Sequence, residues 1–341
     1  MSFDRRALEI DAAAESGRIV NFLRRSVYTV LRRRGGVVGI SGGVDSAVVL
    51  ALSVRAFGPE RTCALILPEK DSDPESRVLA RDLAAQYGVK PEEEEITAAL
   101  EGLGCYARRD AAIRRVFPEY RPGLGYKARV TLPENLMDVG SLNVPMLAIV
   151  RPDGSEDVRR LAPEEASEIV AASNMKQRTR MTMLYFHAER RHYAVIGTAN
   201  KNEYEQGFFV KHGDAGVDVK AIAHLYKTQV YQLAEYLGVP RAIRERTPSS
   251  DTYSAPTSQQ EFFFRLPFET MDLLWYAQEH GVPQEEVTRA TGFSAAQIRR
   301  AFEDFTQKAR STAHLRMHPL SIETGPAGAT RGAASGTGTG V

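Results

Sequence analysis

The chain has 341 residues, 43% of them hydrophobic and 26% charged, and a formal net charge of +1. This is globular composition, and near-neutrality gives no electrostatic case for a nucleic-acid or membrane-surface partner. Cys63 and Cys105 form neither a CxxC pair nor a zinc cluster. No apolar run nears the roughly 18–20 residues that span a bilayer, and the early acids leave no signal-peptide core, so a cytoplasmic protein with two reduced thiols is expected.

Residues 10–34 place Ala13, Val20, Leu23, Val27, Val30 and Leu31 at helical spacing, and Gly35-Gly36 stops the helix. Val37–Ile40 reads as a short buried strand, followed by a glycine turn and a helix from about Asp45. Cys63–Pro68 is a second strand, Pro74–Tyr87 a second helix, and Glu93–Ile96 a third strand. This alternation predicts an α/β fold, a doubly wound and mostly parallel Rossmann-like sheet flanked by helices.

From about residue 97 to 161 the alternation breaks, which reads as an insertion carrying a hairpin, PMLAIVRPDGSEDVRRL, with a PDG turn. A helix over Pro163–Arg190, a strand running into a loop over Ala194–Asn200 and a helix over Leu225–Gly238 follow. Three helical pieces lie between Phe268 and Arg310. Residues 1–323 read as one domain. Residues 324–341, rich in Gly, Ala, Thr and Ser, read as a disordered tail.

Gly39-Ile40-Ser41-Gly42-Gly43-Val44-Asp45-Ser46 stands where the first strand turns into a helix. Such a turn aims backbone N–H groups into an anion-binding concavity, reinforced by the positive end of the helix. Gly42 and Gly43 allow close approach, and Ser41 and Ser46 add hydroxyls. A carboxylate such as Asp45 repels phosphate unless a divalent cation lies between them, so the turn reads as an ATP cradle with a magnesium ligand built in. The lysine of GxxxxGK[ST] loops is absent. Its absence suggests that pyrophosphate leaves as a unit while the α-phosphate is attacked.

SGGVDS resembles the signature of the ATP pyrophosphatases, which activate a carboxyl or carbonyl oxygen as an adenylate. Within them, NMKQRTRM (174–181), GTANKNEYEQGFFVKHGDAGVD (197–218) and LYKTQV (225–230) resemble the ammonia-dependent NAD synthetases. The resemblance implies amidation of deamido-NAD (nicotinate adenine dinucleotide) by ammonia, with ATP as co-substrate and Mg2+ as cofactor. It implies a homodimer as well. The expected partners are otherwise small molecules, with neither nucleic acid nor membrane among them. No amidase segment precedes Ser41, so ammonia is expected free or from a separate glutaminase.

Glu203 suits a second carboxylate on the magnesium held by Asp45, Lys227 a cation for the departing pyrophosphate, and Thr198 an ATP contact. The resemblance adds Ser249 to the ATP site and assigns Arg178, Lys211, Asp218 and His314 to the dinucleotide. It gives Asp214, in the turn HGDAG, the task of orienting or deprotonating ammonium. The sequence departs from the family in the 97–161 insertion, in FFF within 246–272, and in Leu315 where a lysine is expected. Two alternatives follow: a paralogue that amidates another carboxylate, and a nucleotide-binding regulator using Pro283–Phe302 as a helix-turn-helix. The plainer reading of Pro283–Phe302 is a pair of packing helices.

Overall fold

In the computed structural model, which describes residues 3–132, 145–248, 253–255, 258–259 and 263–322, helix and strand alternate from the start. Helix α1 (Ala12–Arg24) is capped by the Asp11 carboxylate, which accepts from Ala13 N and Ala14 N. It continues as a π turn over Arg25–Val30. That turn changes the angle per residue and with it the buried stripe at the C-terminal end, whereas Ala13 is exposed in the first turn of α1. Ser16, Ile19, Val20, Leu23 and Val27 face the core, while Val30 is 68% exposed and Ala13 and Leu31 also reach solvent. The helical spacing had placed these three on the core face.

Next come β1 (Gly36–Gly39), α2 (Val44–Phe57), β2 (Thr62–Ile66), α3 (Pro74–Gln86) and β3 (Glu92–Glu93). The third strand is shorter than predicted, although Glu94 N and Ile96 N still donate to Ile66 O at the end of β2 and to Pro68 O just beyond it. Residues 97–161 hold more than a hairpin. They form α4 (Thr97–Gly102), α5 (Cys105–Val116), and an antiparallel sheet of β4 (Lys127–Thr131), β5 (Met146–Val150) and β6 (Glu156–Arg160). Gly154, with φ +83°, serves the PDG turn. The inner face of the sheet, with Ala128, Val130, Leu147 and Ile149, packs on Ile113, Phe117 and Ile169.

Helix α6 (Pro163–Arg191) returns the chain to β7 (Ala194–Gly197). Then follow α7 (Lys201–Gln206), β8 (Val219–Lys220), α8 (Lys227–Leu237) and α9 (Arg241–Arg244). The main sheet is parallel throughout, in the order β3-β2-β1-β7-β8. Winding runs outward from β1 through β3 and then restarts at β7 on the other side. The topological switch point therefore lies between β1 and β7, where a crevice opens beyond the strand C-termini.

Helix α2 is buried along nearly its whole length, as a central helix of a large core must be. The C-terminal helices α10 (Phe268–Glu279), α11 (Gln284–Thr291), α12 (Ala295–Ser311) and α13 (Ala313–Arg316) complete the described chain. Ile298, Ala301 and Phe305 of α12 join the core of α10 and α11. The segment resembling a helix-turn-helix is thus a packing pair. Among the described residues, no helix is long and apolar enough to cross a membrane.

Candidate active site

A cavity of about 830 Å³ opens at the switch point. Gly39, Ile40, Ser41, Gly43, Val44, Asp45 and Ser46 line it from β1 and α2, and Thr198 and Glu203 from the segment after β7. Gly42 has φ +73°, and a Cβ there would meet Ser76 O at 2.7 Å, so the turn requires glycine at this position. Ser46 Oγ donates to Gly43 O at 2.9 Å and accepts from Ser41 N at 3.3 Å, which ties the turn to the first turn of α2. The early N–H groups of a helix have no intrahelical partner, so this end offers the donors an oxyanion takes.

Three ionisable groups far apart in sequence meet here. Lys227, fully buried, pairs with Asp45 Oδ2, and Asp45 Oδ1 accepts from Asn200 Nδ2 at 2.9 Å. Asn200 also caps α7 in a reciprocal box: its side chain accepts from Glu203 N, and Glu203 Oε2 accepts from Asn200 N at 3.1 Å. Burial, with Asp45 adding to it, pushes the Glu203 carboxyl up to about 8. Lys227 is raised despite burial, because Asp45 and Glu203 favour its charge. Hard oxygen donors, one of which keeps its proton until positive charge arrives, suit a divalent cation such as magnesium.

Asp214 lines the cavity from the turn after α7, accepting from Val210 N at 2.7 Å, and burial pushes its carboxyl up to about 6. Three residues expected to serve the dinucleotide come together. Arg178 Nε donates to Lys211 O at 3.2 Å, Lys211 Nζ donates to His314 O at 3.1 Å, and all three line the cavity. Asp218 does not line it. Its carboxylate accepts from Val195 N at 2.8 Å and from Tyr185 Oη at 3.0 Å, which fastens the loop entering β8. Ser249 and Glu261 lie outside the described residues, as does the tail from residue 324.

Both cysteines are buried and free, and burial raises both thiols. Such thiols are poor nucleophiles. Cys63, Glu92 and His187 bring three donor atoms within 4.8 Å of one another, a grouping that no spacing in the sequence displays. His187 is already engaged, with Glu94 2.5 Å from Nε2 and Arg191 3.0 Å from Nδ1.

The most consequential residue missed in the sequence is Lys176, inside the quoted NMKQRTRM. It is buried, with Nζ donating to Glu69 at 2.9 Å and to Asp71 at 2.7 Å. Tyr106 Oη donates to Glu69 at 2.7 Å, and Arg109 pairs with Asp71 and Asp110. Although burial raises it, Asp71 is held below the usual carboxylate range by Lys176 and Arg109. The network pins the segment after β2, which carries Ser72 and Asp73 of the cavity wall, to α5 and α6. A lysine at helical spacing on an apolar face was the available signal.

Lys176→Met should leave two buried carboxylates with one cation between them and cost about 3–5 kcal/mol, read by urea unfolding at pH 7. Asp71's share of the stability is present above its unfolded pKa and is lost as pH falls through its depressed folded value. The gap between variant and wild type should therefore narrow toward acid pH. A gap that widened there would contradict the assignment.

A sequence model of the NAD synthase family matches residues 15–112 and 142–319. The chain is 47% identical over 319 residues, 93% of its length, to 99% of an NH(3)-dependent NAD(+) synthetase from Mesorhizobium japonicum. It is 45% identical over 94% of its length to 95% of one from Rhizobium meliloti. Among solved structures, an NH3-dependent NAD synthetase from Campylobacter jejuni superposes with TM-score 0.58 at 21% identity, covering 92% of this chain and all of that one. An NMN synthetase from Francisella tularensis gives 0.56 at 24%, covering 92% and 99%. At these identities the two structures speak for the shared fold.

Proposed function

The chain belongs to the NAD synthase family, and from that premise we propose that it is an ammonia-dependent ligase that amidates deamido-NAD to NAD. The nicotinate carboxylate attacks the α-phosphate of ATP, pyrophosphate leaves, and ammonia displaces AMP from the acyl-adenylate. The observation that carries this reading is the phosphate turn without a lysine at the switch point, facing Lys227 across Asp45. Activation is needed because a carboxylate is a poor electrophile and hydroxide a poor leaving group. Fixed positive charge around the departing oxygens is the main stabilisation such a site offers.

Ser41 and Ser46, with the first amides of α2, hold the phosphates, and Lys227 neutralises charge on the pyrophosphate. Asp45 and Glu203 would hold Mg2+, which when bound screens the same oxygens. Arg178 and Lys211, with His314, receive the dinucleotide through charge-assisted contacts. Asp214 holds the ammonium ion and accepts its proton as nitrogen attacks. Thr198 and Ser249 belong to the ATP side of the site. We read residues 1–323 as one domain that works as a cytoplasmic homodimer, with ammonia free or delivered by a separate glutaminase.

Incubation with ATP, Mg2+, ammonium and deamido-NAD should give NAD, AMP and pyrophosphate in equal amounts. Stoichiometric ADP and phosphate would overturn the adenylation mechanism. Pyrophosphate released with another carboxylic acid and not with deamido-NAD would favour the paralogue, for which Leu315 in the cavity wall speaks. The metal assignment has its own readout. Mg2+ should raise the thermal midpoint of the wild type, and Glu203→Gln should lose that gain. Without the cation the variant should be no less stable, since glutamine mimics a protonated carboxyl. Equal gains in both proteins would remove Glu203 from the metal site.

A further inference from the structure

Cys63, Glu92 and His187 meet where α6 covers one face of the main sheet. Cys63 is the second residue of β2, Glu92 opens β3, and His187 lies about one turn before the end of α6. All three stand outside the cavity wall. Cys63 and His187 are buried, and Glu92 is half-buried.

The partners of His187 fix which ring nitrogen carries its lone pair. A carboxylate only accepts, so Nε2, 2.5 Å from Glu94, is the protonated nitrogen. A guanidinium only donates, so Nδ1, 3.0 Å from Arg191 Nη1, is the bare one. Glu92 Oε2 stands 3.2 Å from that Nδ1. Two acceptors so close need a cation between them, and the Arg191 guanidinium, which also pairs with Glu92, supplies it. A ring held through its far nitrogen by a carboxylate is the arrangement that orients metal-binding histidines.

We propose that Cys63 Sγ, His187 Nδ1 and Glu92 form a site for a divalent cation of the Zn2+ class, with water as fourth ligand and Arg191 as the group that the metal displaces. The donors choose the cation. One sulfur, one imidazole and one carboxylate suit Zn2+, whereas Mg2+ takes oxygen ligands in octahedral geometry. Bonds of about 2.0–2.3 Å put tetrahedral donors about 3.3–3.8 Å apart. The three donor atoms lie within 4.8 Å of one another, so the site closes with movements of about 1 Å. Glu92, the half-buried donor, has the freedom to make them.

Charge balances as well. Burial raises the Cys63 thiol, while Arg191 and Arg190 favour its thiolate. Coordination removes the thiol proton, which leaves to solvent. The thiolate and Glu92 then neutralise the two charges of the metal. Arg191, the last residue of α6 and already 20% exposed, turns out to water. The bound metal clamps β3, a two-residue edge strand, to β2 and α6. The site owes nothing to the ligase reading.

The test uses the reduced full-length protein in excess Mg2+, which fills hard-oxygen sites, with Co2+ as the spectroscopic probe and Zn2+ as competitor. Co2+ bound to a thiolate shows a sulfur-to-metal charge-transfer band in the near ultraviolet. The chain has only two cysteines, so the band identifies its ligand. One Co2+ per chain should give the band, Zn2+ should abolish it, and Zn2+ should raise the thermal midpoint. Cys63→Ser should remove the band and the gain in midpoint. Should that variant fail to fold, Cys63→Ala, which keeps an apolar side chain in the core, reads the same loss. Glu92→Gln should weaken Co2+ binding by about tenfold or more, and Arg191→Gln should tighten it by about tenfold. No band in the wild type, a band that survives loss of Cys63, or binding indifferent to Glu92→Gln or to Arg191→Gln would overturn the proposal. A band confined to Arg191→Gln would show that the arginine closes the site in the native chain, and would overturn it too.

Discussion

Asp45→Asn is expected to stop turnover while the protein stays folded. The side chain is at the N-terminal end of α2, with one carboxylate oxygen on Asn200 and the other on Lys227. Asparagine keeps the volume and one acceptor for the Asn200 amide. The lost charge is compensated within the site. Asp45 is one of the causes that hold the Glu203 carboxyl up near 8, so removing it favours ionised Glu203 beside Lys227. The fold therefore keeps a paired lysine, and urea unfolding should show a loss of no more than about 1–2 kcal/mol. Catalysis has no such substitute. If Asp45 is the proposed Mg2+ ligand, its loss should raise the barrier by about 3–4 kcal/mol, a fall in kcat of roughly 10²- to 10³-fold. Activity within about tenfold of wild type, a barrier change of only ~1.4 kcal/mol, would take Asp45 out of the metal site.

Lys227→Met should be comparably damaging to catalysis and worse for the fold. Methionine replaces the aliphatic stem and removes the cation. Lys227 is completely buried, so its ammonium has no solvent to replace Asp45. Breaking such a pair by deleting one partner typically costs about 3–5 kcal/mol. The lower half of that range is expected, because the Asp45 side chain keeps 16% of its exposure and water can reach it. Transition-state charge on the pyrophosphate then lacks its fixed counter-charge, worth about 2.7–4 kcal/mol where a single oxyanion donor has been removed. Added Mg2+ should restore stability more than rate, since it can neutralise Asp45 without standing where the ammonium stood. Recovery of full rate by Mg2+ alone would show that Lys227 only balances charge.

Much of this was legible in the chain. Strands β1, β2 and β7 are short apolar runs bounded by glycine, proline or polar turns, and helices α3, α6 and α8 begin and end within a few residues of their sequence signals. The turn between β1 and α2 could be read because its signals are local. The glycine freedom, the hydroxyls and the helix end all lie within eight consecutive residues. Long ordered motifs singled out Arg178, Lys211 and Asp214, which line the cavity, and Asp218, which does not line it and accepts from Val195 N.

Periodicity and turn chemistry are properties of neighbours along the chain, and by themselves they determined the α/β class and a glycine turn after β1, while motif order pointed to the NAD synthase family. The tertiary structure alone decided what neighbours in space create. Strand order carries Asp45, Glu203 and Lys227, from three separate crossings of the sheet, to one switch point. It also sinks Lys176 between Glu69 and Asp71. The two helices and three strands described within 97–161 were hidden for a related reason. In α5 the buried pair Arg109–Asp110 breaks the apolar stripe by which an amphipathic helix is recognised. Burying such charges costs desolvation, which for Arg109 is offset by Asp71, 38 residues away, as well as by the adjacent Asp110. The lysine and arginine therefore look like surface residues until the fold supplies their carboxylates.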